Sequence, residues 1–208
     1  DKSPYKTHLG ASFPWMEPGE GGLEVVDLQA HGNGGYFNFQ PGEMYVGGGI
    51  LLADAAAEMR KLAEHLSLPV AHTLMGKGAL PDDHPLILGM TGFWGTKFIN
   101  DKCKGADWIL GLGTRFSEAD CSSWENEYTF SFPPTKLIQI DIDPSEIGRN
   151  YPVAIGAVAD LKQALEVLNR VARKLAPKGV KRDRLLAEMD RNRKAFVAGN
   201  AKAMKSDA

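Results

Sequence analysis

An open α/β sheet is the fold class this sequence predicts, and two observations predict it. Short β-rich runs alternate with amphipathic helical stretches from residue 44 onward, the pattern of repeated strand–helix–strand units. Glycine or carboxylate clusters punctuate that alternation where strands would end, at 47–49, 73–78, 89–92, 113–116 and 141–143. In such sheets the ligand crevice lies beyond the carboxyl ends of the strands, so a nucleotide-type ligand suits the layout.

The elements follow in order. Met44–Val46 is expected to end a first strand at Gly47–Gly48–Gly49. Leu51–Leu66 follows as a helix, with Leu51, Leu52, Ala55, Met59, Leu62 and Leu66 near 3.6-residue spacing. Pro69–Leu74 is a second strand. A loop containing Pro81 and Pro85 leads to a helix over Gly92–Lys104. Trp108–Leu112 is a third strand, and Leu137–Ile142, the most β-branched run, a fourth. Asp143 caps a short helix begun by Pro144. Val153–Ala159 is a fifth strand, and Asp160 caps a helix from Leu161 to Leu175.

The two ends differ from this regular centre. Residues 1–43 form an atypical, loop-rich segment with Trp15 and Met16 among turn formers, a short strand at Leu23–Leu28, and a glycine-rich aromatic loop after it. Residues 44–175 make the main domain. Residues 176–208 are a linker (Ala176–Gly179) and a charged helix over 181–205, whose apolar stripe is Leu185, Leu186, Met189 and Phe196. So polar a helix needs a partner surface.

The 208 residues suffice for one large domain or one domain with appendages. A net charge of −2 gives no global electrostatic reason to expect nucleic acid or a membrane as partner. Cys103 and Cys121 lack metal-ligand spacing and fit a reducing cytoplasm. No cationic segment precedes an apolar run, and no apolar stretch reaches about 18 residues, so neither a signal peptide nor a transmembrane helix is expected.

The strand-end clusters carry the candidate chemistry. Gly47–Gly49 is either a tight turn or a loop whose backbone and following helix approach a phosphate. Thr73 offers a hydroxyl, and Lys77 is either solvated or the partner of an anion. Gly89–Gly92 and Gly95 flank Phe93–Trp94, an arrangement for a flat ring, a subunit contact or simply a packed turn. Arg115 is the natural partner of a diphosphate, because guanidinium offers a bidentate fork; a structural ion pair is its alternative. Asp141 is the better candidate for ribose hydroxyls, with Asp143 left as the helix cap. No Ser/His/Asp order, zinc spacing or glycosidase-type carboxylate pair stands out, and the five histidines are scattered.

Taken together, GGG, TLMGKG, LGMTG, GTRF and IDIDPSEIGRN, in that order, resemble the central domain of thiamine-diphosphate-dependent enzymes of the acetolactate synthase type, over residues 44–175. The resemblance implies a Rossmann-like, mostly parallel, six-stranded sheet with helices on both faces, set between a pyrimidine-binding and a diphosphate-binding domain in an oligomer. It implies decarboxylation and carboligation of 2-oxo acids, with thiamine diphosphate as electron sink and Mg²⁺ holding it. Those catalytic parts belong to the flanking domains. Gly32-Asn33-Gly34 is only an echo of the metal-binding Gly-Asp-Gly, so the chain resembles one domain of a longer enzyme and carries no catalytic residue of its own.

In the acetolactate synthase branch this domain holds FAD. The matching positions here are Gly48, Gly49, Thr73, Leu74, Met75, Gly89, Met90, Gly92, Gly113, Arg115, Phe116, Asp141, Ile142 and Asp160. FAD binders of the family usually read Arg-Phe-Asp-Asp-Arg, whereas this chain reads Arg115-Phe116-Ser117-Glu118-Ala119-Asp120. Relatives place ADP or coenzyme A in the same crevice, or nothing, so FAD, ADP and an empty crevice all stay open. A stand-alone nucleotide-binding or structural module without catalysis is the alternative reading.

Overall fold

The computed structural model describes residues 42–206, with side chains to residue 202. The expected strand at Leu23–Leu28 and the Gly32-Asn33-Gly34 echo lie outside these residues.

Six strands form one sheet: β1 (Glu43–Val46), β2 (Val70–His72), β3 (Ile87–Met90), β4 (Trp108–Leu112), β5 (Lys136–Asp141) and β6 (Ile155–Val158). Their order is β3-β2-β1-β4-β5-β6, and every neighbouring pair is parallel. The open, Rossmann-like α/β architecture expected from the sequence is therefore present, with no antiparallel strand among the described residues.

Alternation along β1 assigns the two faces. Met44 and Val46 point to one side and Tyr45 to the other, and all three are buried. On the first side pack α1 (Gly49–Leu52), α2 (Ala56–Leu66) and α4 (Leu161–Leu175), through Ile50, Met59, Leu62, Leu161 and Leu165. On the second side lie α3 (Lys97–Lys104), through Cys103, and an aromatic cluster of Tyr45, Phe116, Phe130, Phe132 and Tyr151. Within that cluster Tyr45 and Phe130 meet edge-on, their ring centres 4.9 Å apart, a favoured geometry for aromatic pairs. Both cysteines are buried and free.

Three stretches differ from the expected elements. The single helix over Leu51–Leu66 is two helices, because Asp54 adopts left-handed backbone (φ 49°) and the chain turns there. That turn sets Ala55 fully inside; Asp is among the few residues that visit this conformation readily. Ile87–Met90, read as loop, is the edge strand β3; Gly89 within it hides the strand signal. The helix over Gly92–Lys104 is a 3₁₀ turn at Gly92–Trp94 followed by α3, which Thr96 caps through its hydroxyl on the Ile99 N–H. The caps at Asp143 and Asp160 are as expected: Asp143 accepts the Ser145 N–H at 2.9 Å and Asp160 the Gln163 N–H at 3.0 Å.

The C-terminal helix, α5 (Asp183–Ser206), follows a linker tied to α2, where the Val180 N–H donates to the His65 carbonyl at 2.8 Å. Met189 on α5 is 3% exposed, whereas Phe196 is 52% exposed. Glu188 pairs with Lys102 at 2.8 Å, and the Arg193 guanidinium donates to the carbonyls of Asp83, His84, Pro85 and Ile87. The first half of the expected stripe thus rests on this domain, and Phe196 does not.

Candidate functional site

All six strands point the same way, so their carboxyl ends share one edge. From β1 the chain winds outward through β2 to β3; from β4 it winds the opposite way to β6. The reversal falls between β1 and β4, the place where open sheets of this kind split into a crevice.

Two glycine turns meet at that reversal. The Gly49 N–H donates to the Gly113 carbonyl at 3.2 Å. A side chain on Gly113 would lie 2.8 Å from the Gly49 Cα, and Gly113 has φ +56°, so both contact and conformation require glycine. Leu161, next to the Asp160 cap, packs on the same Gly113. Gly48, Gly49, Gly113 and Asp160 are accordingly brought together.

Arg115 leaves this junction into solvent, and its guanidinium makes no ion pair with the described residues. Phe116 turns the opposite way. Its backbone is left-handed (φ 50°), and its ring is buried in the aromatic cluster. A second left-handed stretch follows at Ser122, Ser123 and Trp124, with φ of 51°, 57° and 59°. Backbone of this kind costs about 1–2 kcal/mol per residue, so the surrounding structure must hold it.

The β2 end is built around a 3₁₀ turn. Thr73 is buried, and its hydroxyl accepts the Gly76 N–H at 2.9 Å, so the turn itself uses that group. The Leu74 N–H donates to Asp120 at 3.2 Å, while the side chains of Leu74 and Met75 stand exposed. Lys77 is paired with Asp82 at 2.6 Å. At the β3 end, Gly89 and Met90 lie in the strand itself. Asn100 grips Gly92 through two 3.0 Å hydrogen bonds, and Phe93 and Trp94 project outward beside it.

On the other side of the reversal, Asp141 ends β5 and is 8% exposed. One of its oxygens accepts the Asp143 N–H at 3.0 Å, and burial pushes its carboxyl above the ordinary carboxylate value. Ile142 beside it is exposed. Leu74, Met75, Phe93, Trp94 and Ile142 therefore give the strand-end edge an apolar rim, with Arg115 as a free cation at its middle.

Residues 43–168 match the family described as "Thiamine pyrophosphate enzyme, central domain". The chain belongs to that family. Among the curated relatives of this thiamine pyrophosphate enzyme domain are a probable acetolactate synthase large subunit of Methanocaldococcus jannaschii, 43% identical over 122 residues, covering 59% of this chain and 20% of that protein. The glyoxylate carboligase of Escherichia coli O157:H7 is 40% identical over 134 residues, 64% of this chain and 22% of its own length. The acetolactate synthase large subunit of Haemophilus influenzae is 41% identical over 123 residues, 59% and 21%. The chain thus spans about a fifth of these relatives. Residues 1–69 also match a family described only as a conserved hypothetical protein.

For this thiamine pyrophosphate enzyme central domain, three further features are relevant. Among the described residues no group of three His, Cys, Asp or Glu side chains is placed to hold a metal ion, and no helix is long and apolar enough to cross a membrane. A cleft of about 490 Å³ opens at the opposite edge of the sheet, near Glu43, Lys102, Arg182 and Leu185, away from the strand ends.

Sequence reasoning missed the side chains that support Arg115. Gln139, Asn150 and Trp124 all hydrogen-bond to the backbone at residues 114–116. The one available signal was Gln139, a polar residue inside the apolar run Leu137–Ile142. A buried polar side chain requires partners.

Proposed function

We propose that this chain is the nucleotide-binding central domain of a thiamine-diphosphate-dependent enzyme that decarboxylates and ligates 2-oxo acids, as an acetolactate synthase does. The observation that carries the nucleotide part is the junction of the Gly47–Gly49 and Gly113 turns at the strand-order reversal, with the unpaired Arg115 guanidinium beside it. A diphosphate would take that guanidinium as a bidentate partner. Gly48, Gly49 and Gly113 would let it approach backbone, and Asp141 would accept from a ribose hydroxyl through its second oxygen.

Leu74, Met75, Gly89, Met90, Gly92 and Ile142 would line the ring-bearing parts of FAD or ADP, with Thr73 and Asp160 fixing the turns beneath. Phe116 would act by anchoring Arg115. The apolar rim and free cation fit either nucleotide. Thiamine diphosphate and Mg²⁺ belong, in this reading, to the flanking pyrimidine- and diphosphate-binding domains, within a cytoplasmic homo-oligomer.

Calorimetric titration of the purified chain with ADP and with FAD tests the reading. Saturable binding of one of them, abolished or weakened in Arg115→Ala, supports it. Absence of binding for both removes the nucleotide role and leaves a structural module.

A further inference from the structure

The turn that presents Arg115 is held on three successive carbonyls by side chains from elsewhere. Gln139 donates its Nε2 to the Thr114 carbonyl at 3.2 Å and to the Glu146 carbonyl at 2.9 Å. Asn150 donates its Nδ2 to the Arg115 carbonyl at 2.8 Å and to the Phe116 carbonyl at 3.2 Å. The Trp124 indole N–H adds a third side chain, reaching the Phe116 carbonyl at 2.7 Å. Two carbonyl oxygens facing one terminal atom of Asn150 identify that atom as the amide nitrogen, because an oxygen there could not donate.

These amides come from the IQIDIDPSEIGRN segment, residues 138–150. Gln139 sits within β5, is 2% exposed, and accepts the Gly148 N–H on its oxygen at 2.9 Å. The segment therefore leaves β5, turns at Pro144–Glu146, and returns with Asn150 against the loop that follows β4. Both act on backbone carbonyls of the turn through their side-chain amides.

From this we propose that Gln139 and Asn150 are positioning residues for the diphosphate-binding Arg115. They hold the Thr114–Phe116 turn, with Phe116 in its left-handed conformation, so that the guanidinium is presented to a nucleotide diphosphate already ordered. The proposal rests on the reading of the crevice given above. Its physical basis is preorganisation: a loop fixed before binding loses less freedom when the ligand arrives. The strained φ of Phe116 needs such restraint.

Two measurements on the full chain test it. Limited trypsin digestion probes the Arg115–Phe116 bond without any nucleotide. Asn150→Ala, and separately Trp124→Phe, should make that bond cleave several-fold faster than in the wild type, with cleavage in α5 as internal reference. Unchanged cleavage in both variants overturns the clamp.

ADP titration of Asn150→Ala, Arg115→Ala and the double variant then probes purpose. Asn150→Ala should weaken ADP by about tenfold, but by less than about twofold once Arg115 is already alanine, because a residue acting only through Arg115 has nothing left to position. An equal loss in both backgrounds overturns the positioning role. If Arg115→Ala itself leaves ADP binding unchanged, or the wild type binds no ADP, the crevice reading fails and takes the diphosphate role of the clamp with it; the digestion still reports whether the clamp exists.

Discussion

Arg115 and Glu43 show how differently two charged side chains can be placed at the two ends of one sheet. Arg115 is exposed and without an ion-pair partner among the described residues, so replacing it disturbs little of the fold. Arg115→Ala is expected to weaken ADP or FAD by ~1.5–3 kcal/mol, the range for charged hydrogen bonds, with melting temperature unchanged; calorimetry beside a thermal scan checks it. Glu43 is buried at the first position of β1. Burial pushes its carboxyl from 4.5 to about 7, against the opposing influence of Cys103, Lys102 and Arg182. The folded chain then holds a proton that the unfolded chain releases, so this contribution is fully present below about pH 4.5 and lost as pH rises through about 7. The loss amounts to roughly 3 kcal/mol. Urea melts between pH 4.5 and 8 should show it, and Glu43→Gln should flatten the profile. Arg115 was legible in the sequence because it follows a strand and a glycine. Asn150 and Trp124 were not, because a side-chain donor can reach a carbonyl 35 residues away in sequence, as Asn150 does, and no local pattern records that.

The elements that could be read from sequence are those with strong periodicity and a cap. β5 and α4 lie where their patterns put them, and Asp160 starts α4 by accepting the Gln163 N–H. The edge strand β3 was lost because a glycine interrupts four residues. The α1–α2 break was lost because Leu51–Leu66 keeps helical spacing across a left-handed Asp54. In α5 the sequence stripe is continuous, while the packing stops part-way. Met189 is inside and Arg193 caps four carbonyls, but Phe196 and Val197 face outward. Helices of this kind are stabilised by packing more than by propensity. Hydrogen exchange on the isolated chain should therefore rank β5 slowest, Leu185–Arg193 intermediate and the segment after Phe196 fastest. Uniform protection along α5 would refute that gradient.

For the whole molecule, fold class was legible because strand and helix alternate in a way that only a parallel sheet accommodates, and the ordered glycine clusters fixed the family. The occupant of the crevice was not, because Ser117 and Glu118 follow Phe116 where family FAD binders carry two aspartates. The residues present also set a limit on activity. If, as proposed above, the activating glutamate and the complete Gly-Asp-Gly motif belong to flanking domains, pyruvate with thiamine diphosphate and Mg²⁺ should give no carbon dioxide above the cofactor-only rate in a manometric or coupled assay of the 208-residue chain. One consequence of the strand order concerns synthesis on the ribosome. Among the described residues β1 is the first strand made but lies at the centre of the sheet, and its partner β4 begins at Trp108, some sixty residues later. Until that stretch has emerged, one flank of Met44–Val46 has open backbone groups beside an apolar surface, a state prone to wrong pairing. A nascent chain halted before Trp108 should therefore engage holdase chaperones, and one halted after β4 should release them.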